Sequence, residues 1–293
     1  MEFLTQIING LSQGSIFALV ALGYSMVYGI TQLINFAHGD IIMVGAYATY
    51  VMLILAGTPL WAAILAAVLF CAIVGVVIEQ VAYQRLLNKN APRISLLITA
   101  IGVSMLLQNL FQLIFKSDAK SVSNVLPSFP IPIGPLEISS VTLITIATSV
   151  VIMVLLQILV KKTRIGKAMR ATSEDAGAAK LMGISSRNTI AFTFAVGSGL
   201  AAVGAVLYVG AYPSITPYMG SLLGLKAFVA AVLGGIGSIP GAMIGGLLIG
   251  LAESLTKAAG LSQITDAVVF GILILVLLLK PTGLLGRNVK EKV

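Results

Sequence analysis

The stretch 141–160 carries no charged side chain, and 270–279 is apolar throughout. A helix of about 20 residues rises about 30 Å, which matches the hydrocarbon core of a bilayer. Inside hydrocarbon a backbone can satisfy its polar groups only within a helix or a closed barrel. A barrel strand alternates apolar and polar residues, and these runs do not, so they read as transmembrane helices. Hydrophobic residues make up 58% of the chain against 10% charged, and the mean hydropathy is +1.04, far from the balance that covers a water-soluble domain. The fold class expected is therefore all-α and polytopic, with about eight or nine transmembrane helices.

Spans are expected near 6–30, 41–57, 60–81, 94–115, 141–160, 188–210 and 264–280, with a glycine-rich region at 223–255. The first apolar stretch lacks a basic n-region and is too long for a cleaved signal, so it reads as a retained span. At the centre of 223–255, Gly234-Gly235-Ile236-Gly237-Ser238-Ile239-Pro240-Gly241 breaks any helix, which predicts a discontinuous pair that either crosses twice or folds back. The whole chain, 1–293, reads as one transmembrane domain.

Lys and Arg set the orientation. Seven of the 18 lie in 161–187 (Lys161, Lys162, Arg164, Lys167, Arg170, Lys180, Arg187), three at Arg85, Lys89 and Arg93, and four from Lys280 onward. The positive-inside rule places these segments in the cytoplasm, with the N-terminus and the proline-containing loop 116–140 (Pro127, Pro130, Pro132, Pro135) outside. The net charge of +8 follows that face and calls for no nucleic-acid partner.

Within the basic loop, Thr172-Ser173-Glu174-Asp175 reads as a capped helix start with acids at the positive end of the dipole. Ala178, Ala179, Leu181 and Met182 follow, and Gly183 supplies a left-handed stop, giving a helix over 173–183. A helix this short needs a surface, either the lipid interface or a groove in a cytoplasmic partner.

Charged residues elsewhere have bland accounts. Glu79 reaches the interface beside Arg85, Glu253 and Lys257 form an i,i+4 pair, and Lys226 and Asp266 snorkel from helix ends. No acid at mid-span is apparent. Gly166-Lys167 lacks the flanking residues of a phosphate-binding loop, the one histidine is His38 and the one cysteine is Cys71, so the pattern supports neither a catalytic residue set, a metal site nor a cofactor. Gly220-x3-Gly224, Gly241-x3-Gly245 and Gly246-x3-Gly250 suit close helix packing. Asn35-Phe36-Ala37-His38-Gly39-Asp40 is polar for a connector, and reads either as an interfacial turn or as part of a permeation route.

That hexapeptide, followed by Gly45-Ala46-Tyr47, and the block Gly234 to Ala242 followed by Gly245-Gly246 resemble the LivH-type permeases of bacterial branched-chain amino-acid ABC importers. The resemblance spans essentially the whole chain. It implies a permease subunit in the bacterial plasma (inner) membrane that works with a second related permease, two ATP-binding subunits and an extracytoplasmic substrate-binding protein. The helix over 173–183 is similar to the EAA loop that docks such permeases on their ATPases. Glu174, Asp175, Ala178, Ala179, Leu181, Met182 and Gly183 are then coupling residues, although Gly177 stands where that motif has Glu. Asn35, His38, Gly39, Gly237, Ser238 and Pro240 are the candidates for the translocation path. An importer of urea, short amides or other amino acids is the alternative within the family; an ATPase-independent channel or carrier is the alternative outside it.

Overall fold

The structure is a computed structural model that describes residues 2–89, 91–122, 125–133 and 136–286. Pro135 and the tail residues Arg287, Lys290 and Lys292 lie outside the described residues. Among the described residues eight helices are long and apolar enough to cross a bilayer, and a ninth apolar helix is shorter. In chain order the helices are α1 (Glu2–Thr31), α2 (His38–Tyr50), α3 (Leu60–Ile78), α4 (Gln84–Asn88), α5 (Arg93–Phe115), α6 (Ser140–Lys162), α7 (Arg164–Glu174), α8 (Ala176–Leu181), α9 (Ser186–Ala211), α10 (Met219–Gly234), α11 (Ile239–Ala258) and α12 (Thr265–Leu279). One-turn π-helical stretches extend α2 over Val51–Leu55 and join α3 to α4 over Glu79–Tyr83.

The apolar runs mark the crossings closely, but they do not say which helix is inside. That is decided by small residues. Gly10 and Gly14 of α1 meet Leu251 and Leu247 of α11, and a Cβ on Gly246 or Gly250 would come within 2.4 Å or 2.2 Å of the α1 backbone. Gly23 faces Gly197 of α9, and Gly45 of α2 faces Ala202. The three glycine pairs therefore act as close-approach surfaces, the packing that replaces the hydrophobic effect when the solvent is lipid. α1, α9 and α2 form the centre, while α3, α5, α6 and α12 expose most of their side chains at the periphery.

The region 223–255 is two antiparallel helices, α10 and α11, as its glycine-proline centre predicts. A Cβ on Gly245 would sit 2.0 Å from the Ala230 carbonyl, so the pair closes backbone to backbone. α11, with 20 residues, is long enough to cross; α10, with 16, falls short of the full hydrocarbon thickness. α9 starts at the basic loop and runs antiparallel to α1, with Gly197 against Gly23 and Gly204 against Val20. The C-terminal end of α1 therefore lies toward the basic face, and so does the α10–α11 turn that packs on Gly29.

On the other face the segment 116–140 is not a plain loop. β1 (Lys120–Ser121) pairs with β4 (Ser214–Ile215), and β2 (Pro130–Ile133) forms a hairpin with β3 (Leu136–Ser139). Val122, Val125 and Leu126 are buried beneath it, with Leu126 against Gly210 of α9. Short edge strands tolerate the prolines because one side of the strand needs no donor.

Candidate functional site

The polar hexapeptide enters the bundle. α1 ends at Thr31, Gln32 turns the chain with φ +52°, and residues 33–37 lead back so that α2 begins beside the middle of the bundle. Three contacts fix its depth. The Asn35 Oδ1 accepts from Tyr83 Oη at 2.8 Å, His38 lies against Gly23 with its ring edge-on to Tyr24 at 4.6 Å, and Cys71, near the middle of α3, points its Sγ at the Ile41 carbonyl at 3.7 Å. Asn35, His38 and Asp40 are all buried. Among the described residues Asn35 Nδ2 and His38 Nε2 have no hydrogen-bond partner. An unsatisfied buried group costs about 1–3 kcal/mol, and the contacts with Gly23 and Cys71 seat this segment within the bundle.

Gly39 is where α2 and α10 cross. A Cβ there would lie 2.7 Å from the Gly220 carbonyl oxygen and 2.9 Å from the Gly224 Cα, both backbone atoms that cannot yield. One residue on, Asp40 Oδ1 accepts from Gln108 Nε2 of α5 at 2.9 Å, and the same nitrogen reaches Ser221 Oγ of α10 at 2.9 Å and Ser104 Oγ at 3.3 Å. In the sequence Asp40 stands only as part of the polar motif, and no acid at mid-span is apparent. Asp40 is such an acid, 1% exposed. Its partner Gln108 is 68 residues away, beyond any local pattern.

Gly237, Ser238 and Pro240 are in a different place. They form the α10–α11 turn at the basic face, apart from Asn35, His38 and Gly39. Gly235 and Gly237 take φ of +107° and +86°, which needs glycine. Ser238 Oγ accepts from the Gly241 amide at 3.2 Å as the N-cap of α11, and Pro240 sits in the first turn where a missing N–H is harmless. The open carbonyls of Leu233 and Gly234 accept from the Leu284 and Leu285 amides at 2.9 and 2.8 Å, so the chain after α12 closes the break.

In the basic loop the helix start differs from expectation. Thr163 caps a helix that the sequence reading missed, α7, and Thr172, Ser173 and Glu174 are its last turn. Asp175 has an extended backbone and caps the next helix, its Oδ1 accepting from the Gly177 and Ala178 amides at 2.8 and 2.9 Å. The acid side chain wins over Thr172 and Ser173 because Ser173 Oγ is turned back to the Arg170 carbonyl and Thr172 is buried. Arg170 in turn donates to the Val160 carbonyl and ties α7 to α6. α8 stops at Gly183, φ +82°, as expected. Ala179 packs inward, whereas Leu181 and Met182 are 90% and 82% exposed.

Of the remaining ionisable residues, Glu253 and Lys257 form the expected i,i+4 pair, while Lys226 and Glu79 depart from their bland accounts. Lys226 does not snorkel: its Nζ is 3.2 Å from Glu253 Oε1 and 2.8 Å from Asp266 Oδ1, and Lys257 meets the same Glu253 oxygen at 2.8 Å. Two cations and two anions thus tie α10, α11 and α12, with Lys226 and Glu253 buried. Glu79 is buried in the π-helical stretch and lies in the field of Arg187, not at the interface beside Arg85. On the face opposite the basic loop, a cleft of about 240 Å³ is lined by Gln6, Asn9, Gln13, Ser254 and Lys257, none of them expected from sequence.

A family model described as "Branched-chain amino acid transport system / permease component" matches residues 6–278. The chain is 44% identical to the high-affinity branched-chain amino acid transport system permease protein BraD of Pseudomonas aeruginosa, over 100% of this chain and 98% of that one. It is 42% identical to the corresponding protein LivH of Escherichia coli, again over 100% and 98%. PsaBC from Streptococcus pneumoniae, solved in complex with Fab, overlaps 96% of the chain and 93% of its own at 16% identity and a TM-score of 0.49, a likeness that decides nothing about this chain.

Proposed function

Since the chain belongs to the family of permease components of branched-chain amino acid transport systems, we propose that it is one permease of an ATP-binding-cassette importer for leucine, isoleucine and valine. The other parts are a second related permease, two ATP-binding subunits and an extracytoplasmic binding protein, in a bacterial inner membrane. The N-terminus lies outside, the basic loop 161–187 and the C-terminus in the cytoplasm, and 116–140 faces the binding protein.

The observation that carries this reading is the bare Leu181-Met182 pair. Two large apolar side chains, almost fully exposed at the end of a helix flanked by Lys180 and Arg187, are the anchor expected of a docking element. Moving a two-state permease from 1:99 to 99:1 takes about 5.5 kcal/mol, and an exposed ion pair supplies about 0–1 kcal/mol. Buried apolar contacts are therefore the means by which ATPase closure reaches α6 and α9, which flank the loop. α7 and α8 form the lever, with Asp175 and Gly183 setting the ends of α8 and Ala178 and Glu174 on the exposed side.

Asp40 favours a second reading, an ATPase-independent carrier driven by a proton or cation, because buried acids mark such routes. The docking pair outweighs it, since a carrier has no use for an exposed apolar helix end in its cytoplasmic loop. The test is Leu181→Asp with Met182→Asp in vesicles containing the complete importer. Loss of leucine-stimulated ATP hydrolysis with the permease still folded supports docking; wild-type hydrolysis refutes it.

A further inference from the structure

Three acids are buried within the crossings among the described residues: Asp40, Glu79 and Glu253. Glu253 has Lys226 and Lys257, and Glu79 has the field of Arg187. Asp40 forms no ion pair among the described residues. A charged side chain at mid-bilayer is costly, and such residues pair with one another or mark a polar route. Its place in the first turn of α2 offsets only part of that cost through the helix dipole. The helix dipole alone does not remove that cost, and Gln108 Nε2 donates to the carboxylate at 2.9 Å.

The neighbours of Asp40 show what would remove it. Asp40 Oδ1, Ser221 Oγ and Ser104 Oγ surround one nitrogen, Gln108 Nε2, at 2.9, 2.9 and 3.3 Å. An amide nitrogen has two hydrogens and accepts no bond, so it can serve two of the three oxygens, whereas an ammonium has three hydrogens. The three acceptors come from α2, α5 and α10 and are drawn to one point by the crossing at Gly39. The site is also within reach. Ser221 is exposed, Gln108 and Ser104 are partly so, and Met105, Leu222 and Leu225 stand exposed around them. Gln112 and Tyr218, joined at 2.7 Å, continue the polar line along α5. Polar side chains along a crossing do not face hydrocarbon by preference; they face a water-lined route.

Resting on the permease reading above, we infer that Asp40 Oδ1, Ser104 Oγ and Ser221 Oγ form a subsite for the α-ammonium of the amino acid in transit. Gln108 fills this subsite in the structure described. The incoming ammonium displaces the Gln108 amide and exchanges neutral donors for charge-assisted ones, which are roughly twice as strong. Met105, Leu222 and Leu225 offer the branched side chain an apolar wall. Because the amide replaces the ammonium when the substrate leaves, the carboxylate is never without a donor.

The experiment uses the complete importer in vesicles, with internal ATP, and reads leucine taken up per ATP hydrolysed. Asp40→Asn lowers that ratio about tenfold, the size of one lost hydrogen bond to a charged group, while Asp40→Glu keeps it within about threefold of wild type. Ser221→Ala, at an exposed position that does not disturb α2, lowers it about threefold. A wild-type ratio for Asp40→Asn overturns the subsite. If Asp40→Asn fails to assemble, Ser221→Ala decides, and a wild-type ratio there overturns it as well. Wild-type vesicles that take up no leucine on ATP would instead defeat the permease reading itself.

Discussion

Gly39 and Gly102 are both glycines in transmembrane helices, and the structure assigns them opposite sensitivities. A Cβ on Gly39 meets the backbone of Gly220 and Gly224 within 2.9 Å, while one on Gly102 meets nothing within 4 Å. Gly39→Ala is expected to destabilise the protein by about 1–3 kcal/mol through overpacking. Gly102→Ala should be neutral or slightly stabilising, since it removes helix-breaking freedom at no steric cost. Thermal unfolding of the two variants in the same detergent checks this, and equal melting shifts would contradict the α2–α10 crossing. Sequence alone could not separate these glycines. Nor could it reveal that Asp40 meets Gln108, or that Lys226 meets Glu253, because partners 68 and 27 residues apart leave no local pattern. Residue type is what it does show: Asn35, His38 and Gly39 stand out because a polar connector between apolar runs is unusual.

At the level of elements, apolar length marked the crossings to within a few residues, because burial in lipid is a local requirement on each run. It could not set their order of burial, since helices that are apolar all round carry no stripe that points to a core. The α7–α8 break was misplaced because Thr172, Ser173 and Asp175 are all capping types, and only the backbone shows which one leaves the helix. Replacing Asp175 by Ala should cost about 1 kcal/mol of α8 stability, and Ser should retain most of it, because the cap needs an acceptor and not a charge. In the docking account Asp175→Ala lowers leucine-stimulated ATP hydrolysis while Asp175→Ser does not; equal loss in both would mean that the charge, not the cap, matters. The tie between α10, α11 and α12 has its own test. Glu253→Gln leaves Lys226 and Lys257 together with Asp266 as the only acid, at a cost of about 3 kcal/mol. Adding Lys226→Met should recover most of that stability, as read by thermal unfolding, and a further loss would show that the pairs act independently.

Across the whole molecule the elements divide into a central set and a peripheral set. α1 is held by glycine contacts with α11 and by α9, so it resists rearrangement, and the hexapeptide that returns into the bundle is anchored on it through His38 and Tyr24. The basic loop hangs on α6 and α9, and the strands β1 and β4 link the opposite ends of α5 and α9. In the proposed importer a push on α8 would travel along α9 to the face that carries β1 and β4, and the seam between α5 and α10 is exposed at Met105 and Ser221. The most direct measurement is to extract the native membrane in mild detergent, recover this chain by a C-terminal tag and identify its stoichiometric partners by mass spectrometry. The account predicts a second, related permease together with ATP-binding subunits; a homo-oligomer recovered without any ATPase would contradict it.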